Sequence, residues 1–132
     1  MKNVLKVLVV AYGACAGVAM AHHSTSAYDY SKTENFKVTV QEFRWTNPHI
    51  FLVAKGTDRN GKTATWNIEC GTPNINVRHG WKKDDLRLGD KIQVSIHPMR
   101  DGTPGGTLIN VKLADGRTLF GPGNDIISKP AS

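Results

Sequence analysis

Four separate stretches of this chain carry apolar residues at every second position, and that period constrains the fold more than any other feature. Phe36, Val38 and Val40 alternate with polar neighbours, as do Ala64, Trp66, Ile68 and Cys70, then Ile92, Val94 and Ile96, and finally Ile109, Val111 and Leu113. A spacing of two puts those side chains on one face of a strand, whereas a helix needs spacings of three and four. A further strand is expected at Ile50 to Ala54, a continuous apolar run of strand length. It is followed by Asp58-Arg59-Asn60-Gly61-Lys62, where Asn-Gly signals a hairpin.

The first alternation changes parity at Phe43 and Trp45, which predicts a bulge near Gln41 or Glu42, as a tightly coiled small barrel requires. The strand must then end within Phe43-Arg44-Trp45-Thr46-Asn47-Pro48-His49. Pro48 has no amide hydrogen and a fixed φ, and the Asn47 side chain can bond the nearby backbone. One short helix is predicted over Pro73 to His79, with Thr72 as N-cap, Pro73 at the first helical position, Gly80 beyond the C-terminus and Trp81 folding back. Leu86 to Asp90 turns into the fourth alternating strand, on which Lys91, Gln93, Ser95 and His97 face away from the apolar side. Arg100 to Gly106 reads as an irregular loop, and Thr118 to Phe120 as an added edge.

The order of three strands, a short helix and two more strands is that of an all-β, five-stranded OB-like barrel, here residues 34–120, with the helix between strands 3 and 4. An open meander with a docked helix is the alternative. Trp66, Ile68, Ile92, Val94, Ile96, Ile109 and Val111 are the expected core. Residues 22–33 read as an N-terminal arm and 121–132 as a loose tail.

Residues 1–21 read as a signal peptide. Lys2 and Lys6 precede a short apolar run, and Ala19-Met20-Ala21 ends it. The run falls short of the ~20 residues of a spanning helix, so no integral membrane segment is expected after processing, and the protein is expected in the periplasm. Cleavage after Ala21 leaves about 110 residues, enough for a domain to bury its own core. It also removes Lys2 and Lys6 from the 17 basic residues, so that 15 basic face 11 acidic residues. That mild surplus, on an exported protein, argues against nucleic acid as a partner. Without Cys15, Cys70 has no partner for an intramolecular disulfide and is read as a small buried hydrophobe.

Trp45-Thr46-Asn47-Pro48-His49, Trp66-Asn67-Ile68-Glu69, Gly80-Trp81, Leu88-Gly89-Asp90 and His97-Pro98-Met99-Arg100-Asp101-Gly102 form a specific set of motifs, opened by Ala21-His22-His23-Ser24. With them the chain resembles an uncharacterised family of small exported bacterial proteins, a domain of unknown function, over about Ala21 to Leu119. The resemblance implies export and fold, and supplies no activity. Cys70 and Met99 stand where other small or aliphatic residues are expected.

No nucleophile paired with a base, no carboxylate pair in a cleft and no cofactor motif is visible, so the chain is read as a non-enzyme. The leading expectation is a binding module for an envelope protein or small ligand. It would use Arg44, Trp45, Asn47, His49, His97 and Arg100 on a rim formed by Trp45–His49 and His97–Gly106, aromatics and arginine being common at binding sites. The alternative is a copper site using His22 with its freed amine, His23, and His49 or His97, with Met99 engaging Cu(I). His79 is read as a helix C-terminal residue favoured by the dipole.

Overall fold

The computed structural model describes residues 27–127. Residues 1–21, expected to be a signal peptide, His22, His23 and residues 128–132 lie outside them. Six strands follow in chain order: β1 Glu34–Arg44, β2 Ile50–Thr57, β3 Thr63–Gly71, β4 Lys91–Pro98, β5 Gly105–Lys112 and β6 Thr118–Phe120. Helix α1, Pro73–Arg78, lies between β3 and β4, and helix α2, Pro122–Ile127, follows β6.

The sheet order is β3-β2-β1-β4-β5-β6, and β5 also pairs with β3 in parallel, so that the first five strands close into a barrel. That is the expected OB-like connectivity. Closure runs through Asn67, Ile68 and Glu69 of β3 against Gly105, Gly106 and Thr107 of β5. These glycines, expected in an irregular loop, are strand residues for a steric reason. A Cβ at Gly105 would lie 2.7 Å from the Asn67 carbonyl oxygen, and one at Gly106 2.3 Å from that of His97. The register of β1 on β2 shifts between Val40 and Glu42, the expected bulge.

Alternation fills the interior. Val40, Leu52, Ile68, Val94, Ile96, Leu108 and Val111 are buried in one cluster, with Trp66 against Phe36 at 4.7 Å between ring centroids. All seven residues expected in the core are buried, although Ile109 is not part of that cluster. It is covered by Gly123 of α2. Trp81 is also core: its ring stacks on Phe43, and its Nε1 donates to the Phe120 carbonyl at 2.9 Å. Trp45 is half-buried beside Phe43.

Two expectations about the outside of the barrel are corrected. The described part of the C-terminal segment is no loose tail: Pro122–Ile127 form α2 on β5, with Gly121 and Gly123 buried against Leu108. Ser95 and His97, placed by parity on the solvent face of β4, are buried, and His97 is covered by the arm and by Gly123 of α2. The arm is held by backbone bonds from the Asp29 amide to the Pro98 carbonyl (2.8 Å) and from the Arg100 amide to the Ala27 carbonyl (2.9 Å). Within the arm, bonds from Ser31 and the neighbouring Lys32 lower the pKa of the Asp29 carboxyl to about 2.

Candidate functional site

The functional side chains that meet are not the ones that share a motif. At the end of β3, Glu69 points to the outside of the barrel, opposite in parity to buried Ile68 and Cys70. One of its carboxylate oxygens accepts from the hydroxyl of Tyr28 in the arm. The other accepts from Nδ1 of His49 at 2.9 Å, where the β1–β2 corner enters β2. Tyr28, Glu69 and His49 thus form one chain of hydrogen bonds across three segments. Burial first, and then the Glu69 carboxylate, push the Tyr28 phenol well above its ordinary range, so it stays a donor. The same two causes raise Tyr30.

The corner that supplies His49 is pinned locally. Asn47–Pro48 is a cis peptide, and the Thr46 hydroxyl donates to the His49 carbonyl at 3.1 Å. On the far side, Gly71 has φ +101°, a conformation that favours glycine. A Cβ there would lie 2.7 Å from Asn76 Oδ1. Asn76, the buried residue of α1, donates from Nδ2 to the Cys70 carbonyl at 2.8 Å and so fastens the helix to the end of β3.

Between these parts lies a cleft of about 160 Å³, lined among others by His49, Glu69, Ile75, His79, Pro122 and Asp125. Two imidazoles and two carboxylates therefore share one concavity with apolar walls. Ile75 of this lining is 47% exposed, and Phe120, 46% exposed, precedes its Gly121 in the chain. Cys70 lies behind the site, fully buried, and that burial raises its thiol pKa and keeps it protonated.

The expected rim is divided. Arg44, Trp45, Asn47 and His49 do share the β1–β2 corner, with the Arg44 guanidinium 5.8 Å from the Phe51 ring centre and paired to Glu42. Arg100 and Met99 line a different cleft, of about 260 Å³, with Glu34, Lys62 and Trp66. His97, expected as a ligand-binding and metal residue, is 2% exposed. Its Nδ1 donates to the Lys32 carbonyl at 2.7 Å, and its ring meets Tyr30 edge-on at 5.2 Å. That ring is packing under the arm, not part of a rim. Met99 pairs with Tyr28 through the backbone. Among the described residues no three His, Cys, Asp or Glu side chains converge to hold a metal ion.

Sequence reading gave no role to Tyr28, to Asp125 or to Glu69, although Glu69 closes the Trp66–Glu69 motif, and assigned His79 to the helix dipole alone. The available signal was the outward parity of Glu69 near the strand end, together with the paired Tyr28 and Tyr30 of the arm. Neither carries a spacing that links it to His49. No helix among the described residues is long and apolar enough to cross a membrane.

No curated protein and no solved structure matches this sequence. The profile of a family of unknown function does match, over residues 9–110, which is most of the chain, and the protein therefore belongs to that family, DUF6152.

Proposed function

We propose that the protein is a non-enzymatic binding module of the cell envelope that takes one group of a partner protein into the cleft beside α1. The carrying observation is the Tyr28–Glu69–His49 chain at the wall of that cleft. Its volume, about 160 Å³, is well under the ~300–1,000 Å³ of sites that enclose a whole small ligand. It suits a single side chain or chain terminus, with the rest of the partner lying over exposed Ile75 and Phe120. A fixed imidazole and carboxylate supply orientation, and the apolar neighbours supply contact area. Export belongs to this reading and rests on the basic, apolar and Ala-x-Ala order of residues 1–21.

Copper binding is the second reading, favoured by one observation. A carboxylate on the Nδ1 of His49 is the arrangement that commonly orients a metal-ligating histidine. The further donors it needs, His22 and its amine, lie outside the described residues.

One experiment separates the readings. A photo-crosslinker placed at Ile75 should capture a defined envelope protein, and Tyr28→Phe or His49→Ala should weaken that capture at least tenfold. A crosslinker at Leu88, exposed but not lining the cleft, should not capture it. Equal capture from both positions, or none, would defeat the binding reading. Capture that required added Cu(II) would transfer the site to the copper reading.

A further inference from the structure

On the opposite parity of β1 and β4, away from the cleft and the arm, the outer wall of the barrel carries four lysines with no acid among them. Register places them. Thr39 of β1 lies between Lys55 of β2 and Lys91 of β4, and Gln93 of β4 lies between Lys37 of β1 and Lys112 of β5. These are two neighbouring rows on one face, offset by one strand, so the lysines follow a zigzag in the order Lys55, Lys37, Lys91, Lys112. With strands about 4.8 Å apart and alternate residues about 6.8 Å apart, each step between backbone positions is roughly 8 Å. The whole zigzag spans about 16 Å on the same spacings.

Together the four lysines border a cleft of about 430 Å³, with Thr39 and Gln93 between them. All four are exposed, and among the described residues none makes an ion pair or side-chain hydrogen bond. The acids that do form pairs are engaged elsewhere: Asp29 with Lys32, Glu42 with Arg44, Glu69 with His49, Asp84 with Arg87, Asp85 and Asp115 with Arg117. From backbone positions roughly 8 Å apart, the ammonium groups on their flexible stems can come within the ~10 Å Debye length at 0.1 M salt of one another, where like charges repel. An anion bridging them removes that repulsion and gains their attraction.

We propose that this cleft binds a small, elongated molecule carrying several phosphate groups. The spacing selects the class. Side chains stand roughly perpendicular to a strand, so four lysines whose backbone positions span about 16 Å meet one phosphate only by lying down over the sheet, whereas a run of phosphates follows the zigzag with the stems upright. The residue type agrees with it: lysine, the only cation type lining this cleft, acts as a point charge and is a common binder of phosphate. Thr39 and Gln93 offer a hydroxyl and an amide donor between the charges. Its size falls within the range of small-molecule sites. This site is separate from the cleft beside α1 and shares no residue with it.

The test titrates inorganic tripolyphosphate into the protein at low salt, read by calorimetry and by amide shifts. Binding should move the amides around Thr39 and Gln93, exceed that of inorganic orthophosphate at least tenfold, and weaken steeply towards 0.5 M salt. The double variant Lys37→Gln, Lys91→Gln should weaken it at least tenfold, with an unchanged unfolding midpoint as the check on folding. The control is Lys82→Gln, Lys83→Gln, which changes net charge equally on residues outside this cleft and should leave binding within twofold. Equal losses in both double variants would reduce the effect to net charge and overturn the proposal. So would attachment to vesicles containing phosphatidylglycerol without any binding of tripolyphosphate, which would make this face a membrane contact.

Discussion

Replacing Gly106 by alanine tests the barrel closure at its tightest point. The new Cβ would stand 2.3 Å from the His97 carbonyl oxygen and 3.0 Å from the Ile96 Cδ1, where ordinary contact begins at 3.4 Å. The deficit at the oxygen is about 1.1 Å (3.4 minus 2.3). The oxygen belongs to the β4 backbone, which β5 pairs at His97 and Pro98, so no side chain can turn aside to relieve it. Relief requires the strands to separate, with β3 joined to β5 on the other side. Overpacking of this kind costs about 1–3 kcal/mol, and an immovable neighbour places it at the upper end. Weakening one ladder bond adds about 1 kcal/mol. Against these stands a gain of about 0.4–1 kcal/mol from the stiffer unfolded chain. The net expectation is a loss of about 3–3.6 kcal/mol, from the same overpacking, hydrogen-bond and unfolded-chain terms. With a urea slope of about 1–3 kcal/mol per molar, the midpoint should fall by roughly 1–3 M. Tryptophan fluorescence can follow it, since Trp66 and Trp81 are buried. A glycine in an irregular loop would behave oppositely, the alanine raising the midpoint slightly. An unchanged or higher midpoint would therefore refute the closure.

Neighbouring positions on β4 should respond in opposite ways: Val94→Asp buries an unpaired charge and should cost about 4 kcal/mol or more, whereas Gln93→Asp sets an acid among Lys37, Lys91 and Lys112 and should be neutral or slightly stabilising. Equal urea midpoints for the two variants would refute the register. Cys70 should make the protein weaken in alkali. Its folded pKa is raised by burial above the ordinary 9.0, so the unfolded chain releases this proton first. The stability it contributes is whole below pH 9 and is lost as pH rises above it, at up to about 1.4 kcal/mol per pH unit. Unfolding measured between pH 9 and 10 should show this slope, and Cys70→Ala should flatten it; the same slope in the variant would mean that the thiol is not the group responsible.

The strands were legible because burial on one face leaves a period of two in the residues themselves. The hairpin at Asn60-Gly61, the bulge near Glu42 and helix α1 were legible for the same reason, each being specified by a few adjacent residues. The outer layer was not. Ser95 and His97 carry the parity of solvent-facing residues, and nothing in β4 records that the arm and α2 lie across His97. Gly105 and Gly106 read as loop because close approach of a second backbone leaves no apolar mark. The Tyr28–Glu69–His49 chain was hidden for a related reason, since its members are separated by 21 and 20 positions and meet only because the barrel brings the arm, the corner and the end of β3 together. The lysine zigzag was likewise invisible until register set four strands side by side.

In the sheet order, β6 alone has a neighbouring strand on one side only, and it is three residues long. On its side away from β2, β3 pairs with β5 at Asn67, Ile68 and Glu69, and the Asn67 amide also bonds the Pro104 carbonyl of the β4–β5 connection. Closure thus shortens the edge that the described strands leave for a foreign strand, which lowers the tendency to edge-to-edge aggregation at high local concentration. The same geometry favours recognition through side chains and concavities, because a closed barrel offers a partner less ladder to extend than an open sheet does.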